Sequence, residues 1–380
     1  MKTTATIALS AALLATAGAN PARYESVRQE IRQAIARGNQ WLESRQNPDG
    51  HWDDGQLPAI TALALNAAVR DPNLDLAKPF PDHIEKGFTW LLAQQKEDGG
   101  IYNRGLTVYN TATAVTALMA SGRDDFHPAV VKARGHLIKN QWDIGEPGTT
   151  DNPNDGGIGY GSNNEHTDLS NTVLAIEALA LSRKVVEDGN FGDQPELDWQ
   201  AAIKFLSRCQ NLEETNDQPW ASNDPDNKGG FIYSSFESKA GEMQTADGRT
   251  ALRSYGSMSY AGLLSMIYAK LTPDDPRVTA VKEWLGRNYT LDENPGMGAQ
   301  GLYYYYHTMS KTLSAAGVDQ LALQEGRNAD WRNDLAVKLL TRQRDDGSWV
   351  NDNGRWMESN PVLVTSFTVL ALAHIHDSIP

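Results

Sequence analysis

The stretch Arg37-Gly38-Asn39-Gln40-Trp41-Leu42-Glu43-Ser44-Arg45-Gln46-Asn47-Pro48-Asp49-Gly50-His51-Trp52 decides how the rest of the chain is read. Its first part is helical, because Val27, Ile31, Ile35 and Leu42 upstream fall near one helix face. Its second part is a stop, because Asp49-Gly50 supplies the positive-φ turn that ends a helix. The same order of residues returns as Lys86-Gly87, Trp90-Leu91, Gln95, Asp98-Gly99 and Tyr102, then as Phe205-Leu206 and Gln210, and again as Leu339, Gln343, Asp346-Gly347 and Trp349. Weaker copies are His136-Leu137, Gln141, Gly156-Gly157, Tyr160, and Trp284-Leu285, where Tyr289 replaces the glutamine. Self-similarity that runs end to end marks a repeat architecture.

After each turn comes a second helix rich in small residues, with Thr followed by Ala three and six positions on. The copies are Thr61, Ala64, Ala67; Thr111, Ala114, Ala117; Thr172, Ala175, Ala178; and, with one change, Thr365, Thr368, Ala371. Small side chains at helical spacing let these helices crowd into an inner ring, while the bulkier first helices surround them. The expected fold is therefore all-α, an α/α toroid of about six helical hairpins, with residues 20–380 forming one repeat domain.

Residues 1–19 are read apart from the fold, as a secretory signal. Lys2 gives the charge, Ala5 to Ala15 the apolar run, and Ala17-Gly18-Ala19 the small-x-small cleavage form. The mature protein is expected to be secreted or periplasmic. No later stretch has the roughly 18 uninterrupted apolar residues of a membrane span, although peripheral contact with a membrane remains compatible with the sequence. With 48 acidic against 34 basic residues and a net charge of −14, the surface repels phosphate backbones, so nucleic acid is not an expected partner. Cys209 is the only cysteine, which excludes internal disulfides and thiolate metal clusters. It lies on the apolar face Ala202, Phe205, Leu206, Cys209 and reads as a core residue.

The run from Arg37 to Trp52 resembles the QW motif of squalene-hopene cyclases, and the likeness extends over nearly all of residues 20–380. In that family the glutamine and tryptophan tie one hairpin to the next and do no chemistry, so the resemblance implies a toroid with a central cavity and leaves the reaction open. The segment Asp168-Leu169-Ser170-Asn171-Thr172 resembles the Asp-x-Asp-Asp-Thr acid motif of class II terpene cyclases, but Ser170 stands where the proton donor belongs and Asn171 where the next aspartate belongs. A serine is far too weak an acid to protonate an alkene. Asp168 also reads as an N-cap.

The run Tyr303-Tyr304-Tyr305-Tyr306-His307-Thr308 ends in a Tyr-His-Thr that resembles the zinc-binding segment of protein prenyltransferase β-subunits. The partner motif of that resemblance falls on Ser257-Met258-Ser259-Tyr260, which carries no thiolate or carboxylate. No metal and no cofactor is therefore expected. His307 aligns with Asn110 and Asn171 at the heads of inner helices. Lys239 to Tyr260 gathers Glu242, Asp247, Arg249, Arg253 and Tyr255 on one approach to a helix.

Three functions follow as expectations. The first is a terpene-cyclase-like or prenyltransferase-like protein whose cavity takes an isoprenoid or another elongated apolar molecule. Asp168 would act as acid or cation stabiliser, His307 as base and Tyr255 as donor or π-face, with Asn171, Arg253, Tyr260, Tyr304 and Tyr305 against the ligand. The second is a carbohydrate-active toroid, with Glu165, Asp168, Glu242 and Asp247 converging on a glycan; this needs two carboxylates about 5–10 Å apart. The third is a non-catalytic protein-binding scaffold with a plugged ring.

Overall fold

The structure, a computed structural model, describes residues 21–161, 166–189 and 191–379. The expected signal at 1–19 and Glu165 lie outside the described residues. Thirteen α-helices are described: α1 (Pro21–Glu43), α2 (Pro58–Val69), α3 (Asp82–Leu92), α4 (Thr107–Ala120), α5 (His127–Lys139), α6 (Leu169–Leu181), α7 (Arg183–Asp188), α8 (Trp199–Arg208), α9 (Gly256–Tyr268), α10 (Pro276–Arg287), α11 (Leu302–Ala315), α12 (Trp331–Leu340) and α13 (Pro361–Ser378). Two short antiparallel hairpins sit in loops, β1 (Glu242–Gln244) with β2 (Thr250–Leu252) and β3 (Leu321–Ala322) with β4 (Asn328–Ala329).

The inner helices close a circle. Contacts run from α2 to α4, α6, α9, α11 and α13, and α13 returns to α2. The small-residue stripes make this possible, since Ala64, Ala67, Ala114, Ala117, Ala175, Ala178 and Ala371 are all buried. The outer helices α1, α3, α5 and α10 each lie on the inner helix of the preceding hairpin, α13, α2, α4 and α9 respectively. One apolar core runs from Tyr24 to Ile379, and Cys209 is buried in it.

Each element of the repeat has a distinct physical role. The glutamine Nε2 donates twice, once to its own turn and once across to the next outer helix. Gln46 reaches Gly50 O and His83 O, both at 2.8 Å. Gln95 reaches Gly99 O and Ala129 O, Gln141 reaches Gly156 O and Asp198 O, and Gln210 reaches Gly229 O and Arg277 O. Gln343 reaches Gly347 O and, across the ends of the chain, Ala34 O at 2.9 Å. The hairpin lacking the glutamine is joined otherwise, by Tyr289 Oη donating to Asp334 at 3.2 Å and by Lys338 to Asp292 at 2.7 Å.

The repeat hydroxyl pins the turn to the inner helix. Thr61, Thr111, Thr172, Ser259 and Thr365 accept from the backbone N–H of Trp52, Ile101, Ile158, Phe231 and Trp349 at 2.9–3.1 Å. The glycine lets the turn touch the next outer helix: Gly156, at φ +82°, would place a Cβ 2.0 Å from Ala201 O.

Candidate functional site

Because every inner helix starts at the same rim, six helix heads surround one opening. The cavity there has a volume of about 320 Å³. Its wall is aromatic and aliphatic, with Tyr109, Tyr160, Tyr233, Tyr255, Tyr304, Trp356 and Phe367 around Leu57, Ile60, Leu106, Met258 and Leu363. The long loops supply part of it: Tyr160 comes from the segment before α6, and Tyr233 and Lys239 from the segment before α9. Lys239 is the cation among the described wall residues. Its Nζ lies 4.3 Å from the Tyr233 ring centre and 2.6 Å from Glu237 Oε1.

Tyr109, Tyr304 and Phe367 form the floor, and they are also the roof of a second chamber of about 50 Å³ farther down the axis. Tyr304 and Phe367 meet with ring centres 5.9 Å apart. The lower chamber mixes polar and charged groups, Asn66, Arg70, Glu177, His307, Lys311 and His374, with apolar ones, Leu63, Val173, Leu174, Leu264 and Phe367.

The residues expected to form one site are spread over five places. Tyr255 and Tyr304 line the upper cavity. Burial pushes the Tyr304 hydroxyl up to about 12, while its hydrogen bond to Ser170 works the other way. Burial holds Tyr255 well above the ordinary range of a phenol.

Asp168 sits behind the wall. It is the N-cap of α6, its Oδ1 accepting from Asn171 N and its Oδ2 from Asn171 Nδ2, both at 2.8 Å. The group is fully buried, and desolvation raises its pKa to about 6 despite those hydrogen bonds. Neither Asp168 nor Asn171 reaches the cavity wall, whereas Ser170 between them does.

His307 faces the lower chamber instead of the cavity. The alignment with Asn110 and Asn171 fails in depth, because α11 begins five residues before His307 while α4 and α6 begin three and two residues before those asparagines. At 1.5 Å per residue the histidine lies about 3–5 Å deeper. Burial depresses its pKa well below that of a free imidazole, and Lys311, His374 and Arg70 act in the same direction.

Tyr260 and Tyr305 are packed into the wall between helices, ring centres 5.7 Å apart. Tyr305 and Tyr306 donate to Thr290 O and Leu291 O at 2.8 and 2.6 Å, so of the four tyrosines only Tyr304 lines the cavity. Arg253 is exposed and its Nε donates to Glu242 O. Glu242 and Asp247 are exposed on the β1–β2 hairpin, where Asp247 pairs with Arg249. The convergence on Asp168 that the glycan reading requires is therefore not formed by these two groups.

Three wall residues carried no sequence signal. Glu358 is the carboxylate among the described cavity-lining residues, and it caps α11 by accepting from Tyr304 N at 2.8 Å, Tyr303 N at 3.3 Å and Asn351 Nδ2 at 2.6 Å. Burial raises its pKa. Trp356, at φ +54°, and Met357, at φ +65°, follow one another in a left-handed conformation and line the mouth while remaining partly exposed. Such a backbone costs a bulky residue roughly 1–2 kcal/mol, and the bonds of the adjacent Glu358 hold the segment in place.

No family model matches the chain. A probable squalene–hopene cyclase from Sinorhizobium fredii is 29% identical over 139 residues, which span 30% of this chain and 22% of that protein. Among solved structures, the apo form of the type II terpene cyclase MstE from Scytonema aligns over 92% of this chain and 99% of its own at 14% identity, with a TM-score of 0.54. A variant of MstE in complex with its substrate, geranylgeranyl dihydroxybenzoate, aligns over 93% and 99% at 13% identity and a TM-score of 0.53. Candida albicans protein geranylgeranyltransferase-I complexed with GGPP aligns over 89% and 90% at 12% identity and a TM-score of 0.51. The chain has the α/α-toroid fold of these proteins. At these identities the likeness to the solved structures is one of fold, and what the toroid holds must be argued from its own wall.

Proposed function

We propose that this toroid binds an apolar, isoprenoid-type ligand in the aromatic cavity at the heads of its inner helices, and that it does so outside the cytoplasm. The observation that carries the reading is the cavity wall itself: seven aromatic rings and a set of aliphatic side chains around about 320 Å³. Such a wall favours hydrocarbon by burial and offers π-faces to unsaturated chains. The geranylgeranyl groups named for two proteins of the same fold support the ligand class. The N-terminal segment with its small-x-small end supports export; no helix among the described residues is long and apolar enough to cross a membrane.

The wall speaks for binding more strongly than for protonation-driven cyclisation. Ser170 is at the wall where the resemblance places the proton donor, and a hydroxyl cannot protonate an alkene. Lys239 is already paired with Glu237, and Glu358 is a wall carboxylate, so among the described residues the wall lacks the concentrated positive charge that a diphosphate group demands. A neutral isoprenoid alcohol or hydrocarbon fits these charges better.

The test is incubation of the purified protein with a panel of neutral isoprenoids, prenyl diphosphates and acidic glycans, followed by mass spectrometry of retained and altered compounds. Neutral isoprenoids are expected to be retained, and Leu57→Trp, which fills the mouth from a half-buried position, is expected to lower retention at least tenfold. Retention of glycans alone would overturn the proposal.

A further inference from the structure

Below the layer of Tyr109, Tyr304 and Phe367 the axis of the toroid changes character. The lower chamber, of about 50 Å³, is several times the roughly 10–15 Å³ that a single water needs. It is not a residue of imperfect packing among apolar groups, because charged and polar side chains converge on it from separate inner helices. Lys311 of α11 lies 2.6 Å from Glu177 of α6, with both side chains nearly out of water at 11% and 4% exposure. Tyr268 of α9 approaches the other Glu177 oxygen at 3.5 Å. This pair is neutral as a unit.

Arg70, at the end of α2, is a further positive charge on the wall, and its Nε is engaged by Asn66 Oδ1 at 3.0 Å. His374 of α13 lies with its ring centre 5.9 Å from that of His307. The α4 side is closed by Tyr109 and two threonines whose hydroxyls donate to their own helix. His307 itself stacks on Phe367 with ring centres 5.5 Å apart, and its Nδ1 is buried without a hydrogen-bond partner. A buried imidazole nitrogen left unpaired on a residue that lines a chamber with room for a small group points to a missing partner.

The geometry points to a second ligand site in this lower chamber, built for a small monoanionic carboxylate held by Arg70 and by the unpaired nitrogen of His307. Before anything binds, the charges on the described wall add to one net positive unit, since Lys311 and Glu177 cancel and both imidazoles are neutral; a monoanion matches that charge, whereas a dianion needs a full further proton on an imidazole. The size of the chamber limits the ligand to a few heavy atoms. The depressed basicity of both imidazoles agrees with this assignment: after burial, the main causes at His307 and His374 include the positive charges of Lys311 and Arg70. An anion placed among them reverses that cause, raises the affinity of the imidazoles for a proton, and couples its own binding to proton uptake. The site does not depend on the upper cavity, so its failure leaves the isoprenoid proposal standing.

The experiment is a titration of the full chain with sodium acetate at constant ionic strength, following the imidazole C2-proton resonances assigned through His307→Gln and His374→Gln. Saturable shifts of both resonances are expected. Arg70→Met, which keeps the aliphatic stem of a half-buried side chain and removes the charge, should weaken the saturation constant at least tenfold. Lys239→Ala, in the upper cavity, should leave it unchanged. Calorimetry of acetate binding in two buffers of different ionisation heat should report net proton uptake, a readout that does not rely on any variant folding. A drift without saturation, equal affinity in Arg70→Met, or binding without proton uptake would each overturn the assignment.

Discussion

At position 168 a carboxylate is kept out of water by the wall of the toroid, and its titration is opposite to that of a salt-bridged surface acid. Its pKa rises from the ordinary 3.8 to about 6 on folding, so between those values the folded chain holds a proton that the unfolded chain has released. Stability from this group is complete below about pH 4 and is lost as the pH rises through about 6, an effect on the order of 3 kcal/mol at ~1.4 kcal/mol per pKa unit. His307 acts in the opposite sense, because its folded pKa is depressed and its contribution is lost as the pH falls. The comparison that isolates Asp168 is therefore a difference. Asp168→Asn keeps an oxygen to accept from Asn171 N, and Asn171 Oδ1, which has no partner, can turn to meet the new amide. Urea unfolding at pH 4 and pH 7 should show the variant gaining on the native chain by about 2–3 kcal/mol at the higher pH. Parallel curves would show that Asp168 is not carrying this proton.

The repeat elements were legible because each copy carries the same residues at the same short spacing, even where, as for the glutamines and turn glycines, the partner lies on the next hairpin. The glutamines, turn glycines and helix-head threonines were all readable from spacing, and so was the exception at Tyr289. What was not legible depends on depth and on distance along the chain. Spacing places Tyr304, His307, Thr308 and Lys311 on one face of α11, but it does not say that the first lines one chamber and the second another. The Glu177–Lys311 pair joins positions 134 residues apart, and Glu358 reaches the head of α11 from a loop without a motif. The readable part makes a graded prediction at the turns. Gly105→Ala meets open space at φ +66° and should cost only about 1–2 kcal/mol for its left-handed backbone. Gly156→Ala adds a clash with the backbone of α8, which cannot yield as a side chain would, and should cost on the order of 4 kcal/mol. Equal losses in thermal unfolding would mean that close approach between neighbouring hairpins is not what selects glycine there.

For the molecule as a whole, the fold differs from an open solenoid in that its last hairpin is tied to its first. Gln343 bonds Ala34 O, Trp41 Nε1 donates to Asp346 at 3.1 Å, Arg37 pairs with Gln343, and Asn360 bonds Asp53 at 3.0 Å. The ends of the described chain meet on the same seam, with Arg28 donating to Ile379 O at 3.1 Å and Arg32 to His376 at 3.1 Å. A closed ring has no privileged starting hairpin, so the order in which the hairpins leave the ribosome should matter little to the final contacts. Joining residue 379 to residue 21 by a short flexible linker and opening the chain in the exposed segment between α7 and α8 should leave every tie intact. This circular permutant is expected to unfold in a single cooperative transition and to retain isoprenoids as the native chain does. Cutting away α12 and α13 instead removes Gln343, the floor residue Phe367 and two of the contacts of α1, and should abolish both. If the permutant unfolded in several steps while the truncated chain kept its cooperativity, the ring would be a chain of independent hairpins, and a cavity shared by six helix heads would lose its physical basis.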